Sequence, residues 1–452
     1  MSSACPKENG ICDLRSFLKV LEEQRQLHVI KKEVALEYEI GDVLVALERK
    51  GLGAALFENV RGHNIPVVGG VLGSQERIAL ALGCEKSEVV DRVASCFENP
   101  IPPVEVDWGY FDEVVATGDE VDLGSLPIPR HARGDAGPFI TAGVTVSKDP
   151  ETGVQNLSFQ RMQVKGKNRL GIMINEWRHL KGFLDKAESR HEPLPIAVAI
   201  GVDPVISIAA GFRYDGDEAE LAGALRGKPL EVKKCFTSDI RVPSRTEILI
   251  EGIILPGERE EEGPLAEFTG HYGEPWKNPV VKVTAIARRK APIYQTLAGA
   301  SYEHINLGNV LPREPLLKKF CTYVSKNVKA VHIPPYGSGF LAIISMDKKN
   351  PGEPKNVALA AMMTYVNIKH VIVVDPDVDI FDAGQVMWAL STRVKPERDV
   401  FYVPYAQGHE LDPSADHRGV HTKVGIDATL EDDLKAYYKK VVYQDVDIEK
   451  YL

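Results

Sequence analysis

The chain has 452 residues, and its 54 Lys and Arg against 64 Asp and Glu give a formal net charge of −10. That acidic balance argues against binding nucleic acid or an anionic membrane through the overall field. At 44% hydrophobic and 26% charged residues the composition is that of a soluble globular protein, and the length calls for two or three domains.

Asp13 can cap a helix in which Leu14, Phe17, Leu18 and Leu21 share one face. A strand follows at 28–34, then a helix running to Gly51, where a left-handed stop is wanted. Strands at 54–60 and 66–69 and a helix capped by Ser74 complete an N-terminal α/β module, residues 1–105. A Pro-rich passage (Pro100, Pro102, Pro103) leads into irregular chain up to about residue 138. Hairpins then dominate. Strands are expected at 141–146, 155–164 and 169–175, with turn compositions at 150–153 and 165–168, and again at 196–200, 247–250 and 280–287. One helix is expected among them, near 217–225. The central domain, residues 106–300, thus reads as β-rich and barrel-like.

After residue 312 helices alternate with short buried strands: helix 314–328, strand 340–345, helix 356–366, strand 370–375, helix 384–392 and a last helix at 430–442. This pattern predicts a C-terminal α/β domain, residues 301–452, around a partly parallel sheet. The most apolar stretch, 193–212, is interrupted by Pro195, Asp203 and Pro204 and reads as two buried strands rather than a membrane span. The first twelve residues are polar, so no secretory leader is expected. Six scattered cysteines without a CxxC pair are expected to be reduced thiols of a cytoplasmic protein.

Three groups of residues carry candidate chemistry. Glu262-Gly263-Pro264-Leu265-Ala266-Glu267 sets two carboxylates around a Gly-Pro bend, from which both can project into one cleft; paired carboxylates in a partly dry pocket are how proteins keep one acid protonated near neutral pH. A solvated acidic loop is the competing reading, because Glu258, Glu260 and Glu261 precede it. The stretch 156–161 reads as a strand with polar groups where a core strand carries aliphatic ones. Five steps separate Asn156 from Arg161 by roughly 16 Å, about the reach of a flavin mononucleotide. Their odd spacing puts them on opposite faces unless a bulge or bend re-aims one, and a solvated edge strand is the alternative. His179 follows Trp177 and Arg178 at a strand end, and Glu218 starts the one helix of this domain. With Asn156 they form an oxygen and nitrogen donor set that suits manganese or magnesium, though no tight motif links them. GxGxxG after a strand, GxxxxGK[ST], HExxH and GxSxG are all missing.

These blocks occur in one order: 156–161, Trp177-Arg178-His179, Glu218 with 222–227, Val242-Pro243, Glu247, Glu251-Gly252, 262–267 with Thr269-Gly270, 388–393 and 423–429. In that order and spacing the sequence resembles the UbiD-type decarboxylases, which use prenylated FMN, over nearly its whole length. The resemblance implies a flavin-binding split β-barrel between an N-terminal α/β module and a C-terminal α/β oligomerisation domain. It implies that Asn156, His179 and Glu218 hold a manganese ion that anchors the flavin phosphate, with potassium nearby. Phe159, Gln160, Arg161, Arg178 and His179 would line the cofactor, and Glu262, Arg161 and Glu267 would form the family's Glu-Arg-Glu network, with Glu267 as proton donor. The cofactor is needed because CO₂ loss from an sp² carbon leaves an electron pair that side chains cannot accept.

The expected substrate is a heteroaromatic or aromatic acid, with furan- or pyrrole-carboxylates favoured by His304, which is expected to wall the pocket unless it is a structural loop residue. The other products and partners are CO₂, a flavin prenyltransferase as cofactor supplier, and further copies of the chain as a homodimer or homohexamer. A phenolic or acrylic acid decarboxylase of the same family is the alternative. A plain FMN-dependent reductase and a non-catalytic assembly subunit are rivals of other classes. The reductase would not need two glutamates around an arginine, and an inactive copy is expected to lose Arg161 or Glu267.

Overall fold

The computed structural model describes residues 10–431 and, beyond them, 433–435, 437–441, 443, 446–447 and 450–451. The chain forms two compact units, residues 1–315 and 316–452. In the first unit Asp13 caps the helix Leu14–Glu23, its carboxylate accepting from the Ser16 amide, and Leu14, Phe17, Leu18 and Leu21 are buried. The helix Glu39–Arg49 stops before Gly51 at φ +64°, and Ser74 caps the helix Gln75–Leu82. A four-stranded sheet orders Leu27–Ile30, Ala54–Phe57, Val67–Gly69 and Tyr294–Gln295. Its fourth strand therefore comes from the far side of the barrel sequence.

The barrel is a nine-stranded antiparallel sheet. Its order is Phe139–Ile140, Met162–Gly166, Arg169–Ile172, Trp276–Arg288, Ile248–Glu262, Leu194–Ile200, Val144–Lys148 and Gln155–Phe159, with Val114–Thr117 also on Trp276–Arg288. Gln155–Phe159 lies at one edge and Met162–Gly166 next to the other, yet only Gln160 and Arg161 join them. Three Cα steps span at most roughly 11 Å. The sheet must curl until its edges nearly meet. Met162, Leu170, Ile172, Ile196, Val198, Ile248 and Ile250 fill one apolar cluster, while Ala197, Ala199 and Leu249 alternate into another with the helices Pro204–Ala210 and Glu218–Arg226.

Three helices, not one, interrupt these strands: His179–Ser189, Pro204–Ala210 and Glu218–Arg226. The two strands expected over 193–212 are a strand, Leu194–Ile200, and a helix, Pro204–Ala210. An apolar run of this length has no period that separates the two states, and the cap decides it. Asp203 accepts from the Val205 amide and Pro204 takes the first helical turn, where its missing N–H costs nothing. The expected strand 155–164 is two strands, Gln155–Phe159 and Met162–Gly166, broken at Gln160-Arg161.

The second unit holds a five-stranded sheet ordered Val328–His332, Leu341–Met346, His370–Val374, Val420–Ala428 and Val400–Gln407. The middle three strands are parallel and both edges antiparallel. Strands 400–407 and 420–428 were absent from the sequence reading. The helix expected over 430–442 falls partly outside the described residues, and those described at 433–435 and 437 form turns. No helix among the described residues is long and apolar enough to cross a membrane.

The same Asp203 carboxylate receives Arg226, through Nε at 3.0 Å and through Nη2, and both side chains are almost fully buried. Asp203→Ala removes a cap and strands a buried cation, so unfolding in urea should show a loss of about 3–5 kcal/mol. A loss under about 1 kcal/mol would rule the pair out as a stabilising element.

Candidate functional site

Arg161 stands in the seam where the sheet closes. Its Nε donates to Glu262 Oε1 at 3.0 Å and its Nη2 to Oε2 at 2.9 Å, a parallel two-bond clasp, while Nη1 donates to Glu267 Oε1. Glu262 ends the long strand Ile248–Glu262 and is fully buried; Asn278 Nδ2 adds a third bond at 2.8 Å. The bend after it is pinned on both sides. The Gly263 amide donates to Gln163 Oε1, the Ala136 amide to the Pro264 carbonyl and the Ala266 amide to Asp135 Oδ1. Gly263 adopts φ +92°, and a Cβ there would meet Arg161 Nη2 at 3.1 Å, so the residue fits both the turn and the guanidinium.

The two acids differ in surroundings. Glu262 has 0% side-chain exposure and both oxygens bound, whereas Glu267 has 13% and one contact to Arg161. The two carboxylates hold the Arg161 guanidinium above its ordinary range despite its burial. The acidic turn is therefore not a solvated loop.

Asn156, Ser158, Thr145 and Ser147 share one face, because Ser147 pairs with Asn156 and Thr145 with Ser158 across the ladder. All four are buried, and the Thr145 and Ser147 hydroxyls have no hydrogen-bond partner. Gln160, also buried, donates to Ser158 Oγ at 3.3 Å. Phe159 points to the opposite face and packs on the apolar cluster of the helices. Such a face can take hydrogen bonds from polar atoms outside the chain, water included.

Glu218 lies at the first position of its helix, fully buried, and reaches the edge strand: Oε2 accepts from the Leu157 amide at 2.7 Å and Oε1 from Asn156 Nδ2 at 2.8 Å. Burial, the main cause, pushes its carboxyl up to about 8. His179 is the first residue of the helix His179–Ser189 rather than a strand end. Its Nε2 lies 3.8 Å from the exposed Asp215, and burial with the nearby Arg213 lowers its pKa, favouring the neutral ring. The structure thus joins Asn156 to Glu218 directly and turns His179 toward Asp215. Trp177, next to Arg178 in the chain, is half exposed.

His304 sits in the one-turn helix Tyr302–Ile305. Its Nδ1 accepts from the Ala300 amide at 3.3 Å, so the neutral ring carries its proton on Nε2. Burial lowers its pKa, Glu267 raises it and Arg161 lowers it, which puts the ring in the field of the network.

Three family models match successive stretches of the chain. They describe the N-terminal, Rift-related and C-terminal domains of 3-octaprenyl-4-hydroxybenzoate carboxy-lyase, at residues 18–97, 104–301 and 307–428. The anhydromevalonate phosphate decarboxylase of Methanothermobacter thermautotrophicus is 38% identical, over 92% of this chain and 96% of its own. The chain belongs to the UbiD family of carboxy-lyases. Solved UbiD-class structures share its fold. HmfF from Pelotomaculum thermopropionicum in complex with FMN has a TM-score of 0.92 at 41% identity, covering 97% of this chain and 100% of that one. An evolved dimeric form of HmfF in complex with prFMN has a TM-score of 0.89 at 39% identity, with the same coverage. As a UbiD-family member the chain is a decarboxylase.

Sequence reasoning missed Asn278, Asp135 and Gln163, which hold the network from three other segments and have no local signature. It also missed Thr145 and Ser147, although hydroxyls alternating with Val144 and Val146 were the available signal of a buried polar face.

The Glu218 carboxyl gives this UbiD-family chain a pH dependence of known sign. Folded, it titrates near 8 against an ordinary 4.5. Between those values the folded chain keeps a proton that the unfolded chain has released. In chelator, stability should therefore fall as pH rises from about 4.5 to about 8, by at most about 1.4 kcal/mol per pH unit from this group. Glu48, raised to about 7, and Asp217, raised to about 6, contribute the same sign lower in this range, so Glu218→Gln should reduce the slope in urea unfolding most clearly between about pH 7 and 8; an unchanged slope there would place the titration elsewhere.

Proposed function

We propose that this UbiD-family enzyme catalyses the reversible, non-oxidative decarboxylation of a heteroaromatic or aromatic acid, of furan- or pyrrole-carboxylate type, with prenylated FMN held in the split barrel. The observation that carries the reading is the Glu262–Arg161–Glu267 network in the barrel seam, beside a buried polar face with unmet hydrogen bonds. Solved relatives with FMN and prFMN support the cofactor. The donor set fits a divalent cation: Glu218 is a buried carboxyl with no cationic side chain bonded to it, Asn156 keeps Oδ1 free while Nδ2 binds Glu218, and His179 favours the neutral ring. Asn156, His179 and Glu218 would hold manganese, with Gln160, Arg178 and the Thr145 and Ser147 hydroxyls facing the flavin's polar atoms.

When bound, the prenylated flavin supplies the sink for the electron pair that CO₂ leaves behind. The rest falls to the chain. Arg161 spends three of its five N–H groups on the two glutamates and keeps two to orient a substrate carboxylate. Glu262, bound through both oxygens, keeps the guanidinium in place. Glu267, bound once and still accessible, delivers the proton to the carbon that loses CO₂. In reverse the same acid takes that proton back. The neutral His304 offers its Nε2–H to an acceptor such as a furan ring oxygen, which favours the furan acids; a pyrrole N–H is itself a donor and gains nothing from this contact.

A second reading has its own support. The curated relative at 38% identity is named for anhydromevalonate phosphate, so that acid is the chief rival substrate.

The test is production of the chain alongside a flavin prenyltransferase, followed by CO₂ release from furan-2-carboxylate, pyrrole-2-carboxylate, hydroxybenzoates, cinnamate and anhydromevalonate phosphate. Release from furan- or pyrrole-2-carboxylate is expected; release from anhydromevalonate phosphate alone would replace the substrate assignment. Glu267→Gln should cut turnover by at least about 100-fold with flavin retained, and full activity would remove it as the proton donor. His179→Ala should lower manganese and flavin occupancy together. Normal occupancy of both would remove His179 from the metal set.

A further inference from the structure

A second buried polar cluster lies where the N-terminal module meets the segment 298–306. Glu48, Arg77 and Glu303 line a cavity of about 10 Å³, roughly the size of one water, with Gly70, Gly73 and Ser301 in its wall. Glu303 and Arg77 are almost fully buried. The Glu303 carboxylate accepts from the Gly70 amide through Oε2 and from the Leu72 amide through Oε1, each at 2.8 Å. Glu48 Oε2 accepts from the Tyr302 amide at 2.6 Å, and Asn306 Nδ2 donates to the Leu72 carbonyl at 3.0 Å. The helix Tyr302–Ile305 is thus tied to the module at its first amide, at Glu303 and just past its end.

That helix also bears on the proposed site. Its entry, Gly299, packs so closely on the Glu267 turn that a Cβ there would lie 2.4 Å from the Ala266 carbonyl oxygen. His304, the neighbour of Glu303, has Glu267 and Arg161 as the charged groups acting on its ring. The helix runs on directly into a π-helical turn, Asn306–Val310, with Ile305, Leu307 and Val310 buried, and a helical segment of nine residues is too short to fix its own orientation. That orientation comes from this packing together with the tethers, of which Glu303 is the one next to His304. We propose that Glu303, held by the amides of Gly70 and Leu72, is a positioning residue that keeps the Nε2–H of His304 against the Arg161–Glu267 pair. This rests on the reading of that pair as the site of the chemistry.

Glutamine in place of Glu303 would turn an NH₂ group toward one of two amides that both need an acceptor. The size is preserved and the two-bond clasp is lost.

The test follows the His304 ring by ¹⁵N NMR in histidine-labelled holoprotein, with the resonance assigned by its loss in His304→Gln. In the parent protein the ring should show the Nε2–H tautomer, and Glu267→Gln should lower its titration midpoint, because the carboxylate favours the imidazolium. In a Glu303→Gln background that response should shrink to roughly half or less, a coupling that a merely structural tether would not alter. No response to Glu267→Gln in the parent, or a full response in folded Glu303→Gln protein, would overturn the proposal. Should Glu303→Gln fail to fold, Asn306→Ala cuts the other tether to the same turn and carries the same two outcomes. CO₂ release by Glu267→Gln is scored separately. Normal release would overturn the reading of the acid, whereas a dead variant with full coupling in Glu303→Gln would overturn the positioning role alone.

Discussion

The Arg161–Glu262 clasp is the interaction on which the rest of the barrel depends. A sheet whose edge strand is joined by two residues to the strand next to its opposite edge has to curl, and those residues have to lie where the two sides approach each other. One of them is a guanidinium. At the end of the longest strand, a carboxylate with no exposure meets it with both oxygens. An isolated charge at that depth is strongly unfavourable, so neither residue is tolerable there without the other. Closure of the fold and assembly of the site are one event, held by the same pair of bonds.

Much of this was legible because several features are local. A capped helix with a four-residue apolar face, left-handed glycine stops and turn compositions between short strands all declare themselves within a few residues. The odd spacing of Asn156 and Arg161 left two opposite faces or a bend as the choices, and the chain breaks its strand at Gln160-Arg161. What stayed hidden is long-range or ambiguous by nature. Asn278 reaches Glu262 only through strand register, and Asp135 reaches Ala266 across 131 residues. The stretch 204–210 is buried on every side, which erases the periodicity that separates helix from strand. The strand 400–407 is partly exposed and interrupted by Pro404, and 420–428 buries His421, Lys423 and Gly425 where apolar residues are looked for, so no apolar alternation marked them.

The edge strand Gln155–Phe159 shows how one element serves two surfaces. Its odd positions, Leu157 and Phe159, pack on helices, while its even positions, Asn156 and Ser158, turn to the polar face. Edge strands leave backbone donors open to stray pairing. Here Glu218 takes the Leu157 amide, protecting the edge with the same carboxyl that binds Asn156. The two hydrogen bonds that this carboxyl accepts offset part of the cost of burying it.

The division of labour between the two glutamates follows from their bonding. Both face one arginine, so their charges are partly compensated by the same cation. Glu262 accepts three hydrogen bonds and has no exposure; protonating it would break the clasp that closes the seam. Glu267 shares the guanidinium through one oxygen and keeps a path to the open side. Gaining or giving up a proton there disturbs one contact and no strand. Of two identical side chains five positions apart, only the second could change its charge at the expense of a single contact and no strand end, and that asymmetry is set by hydrogen-bond number and burial rather than by residue type.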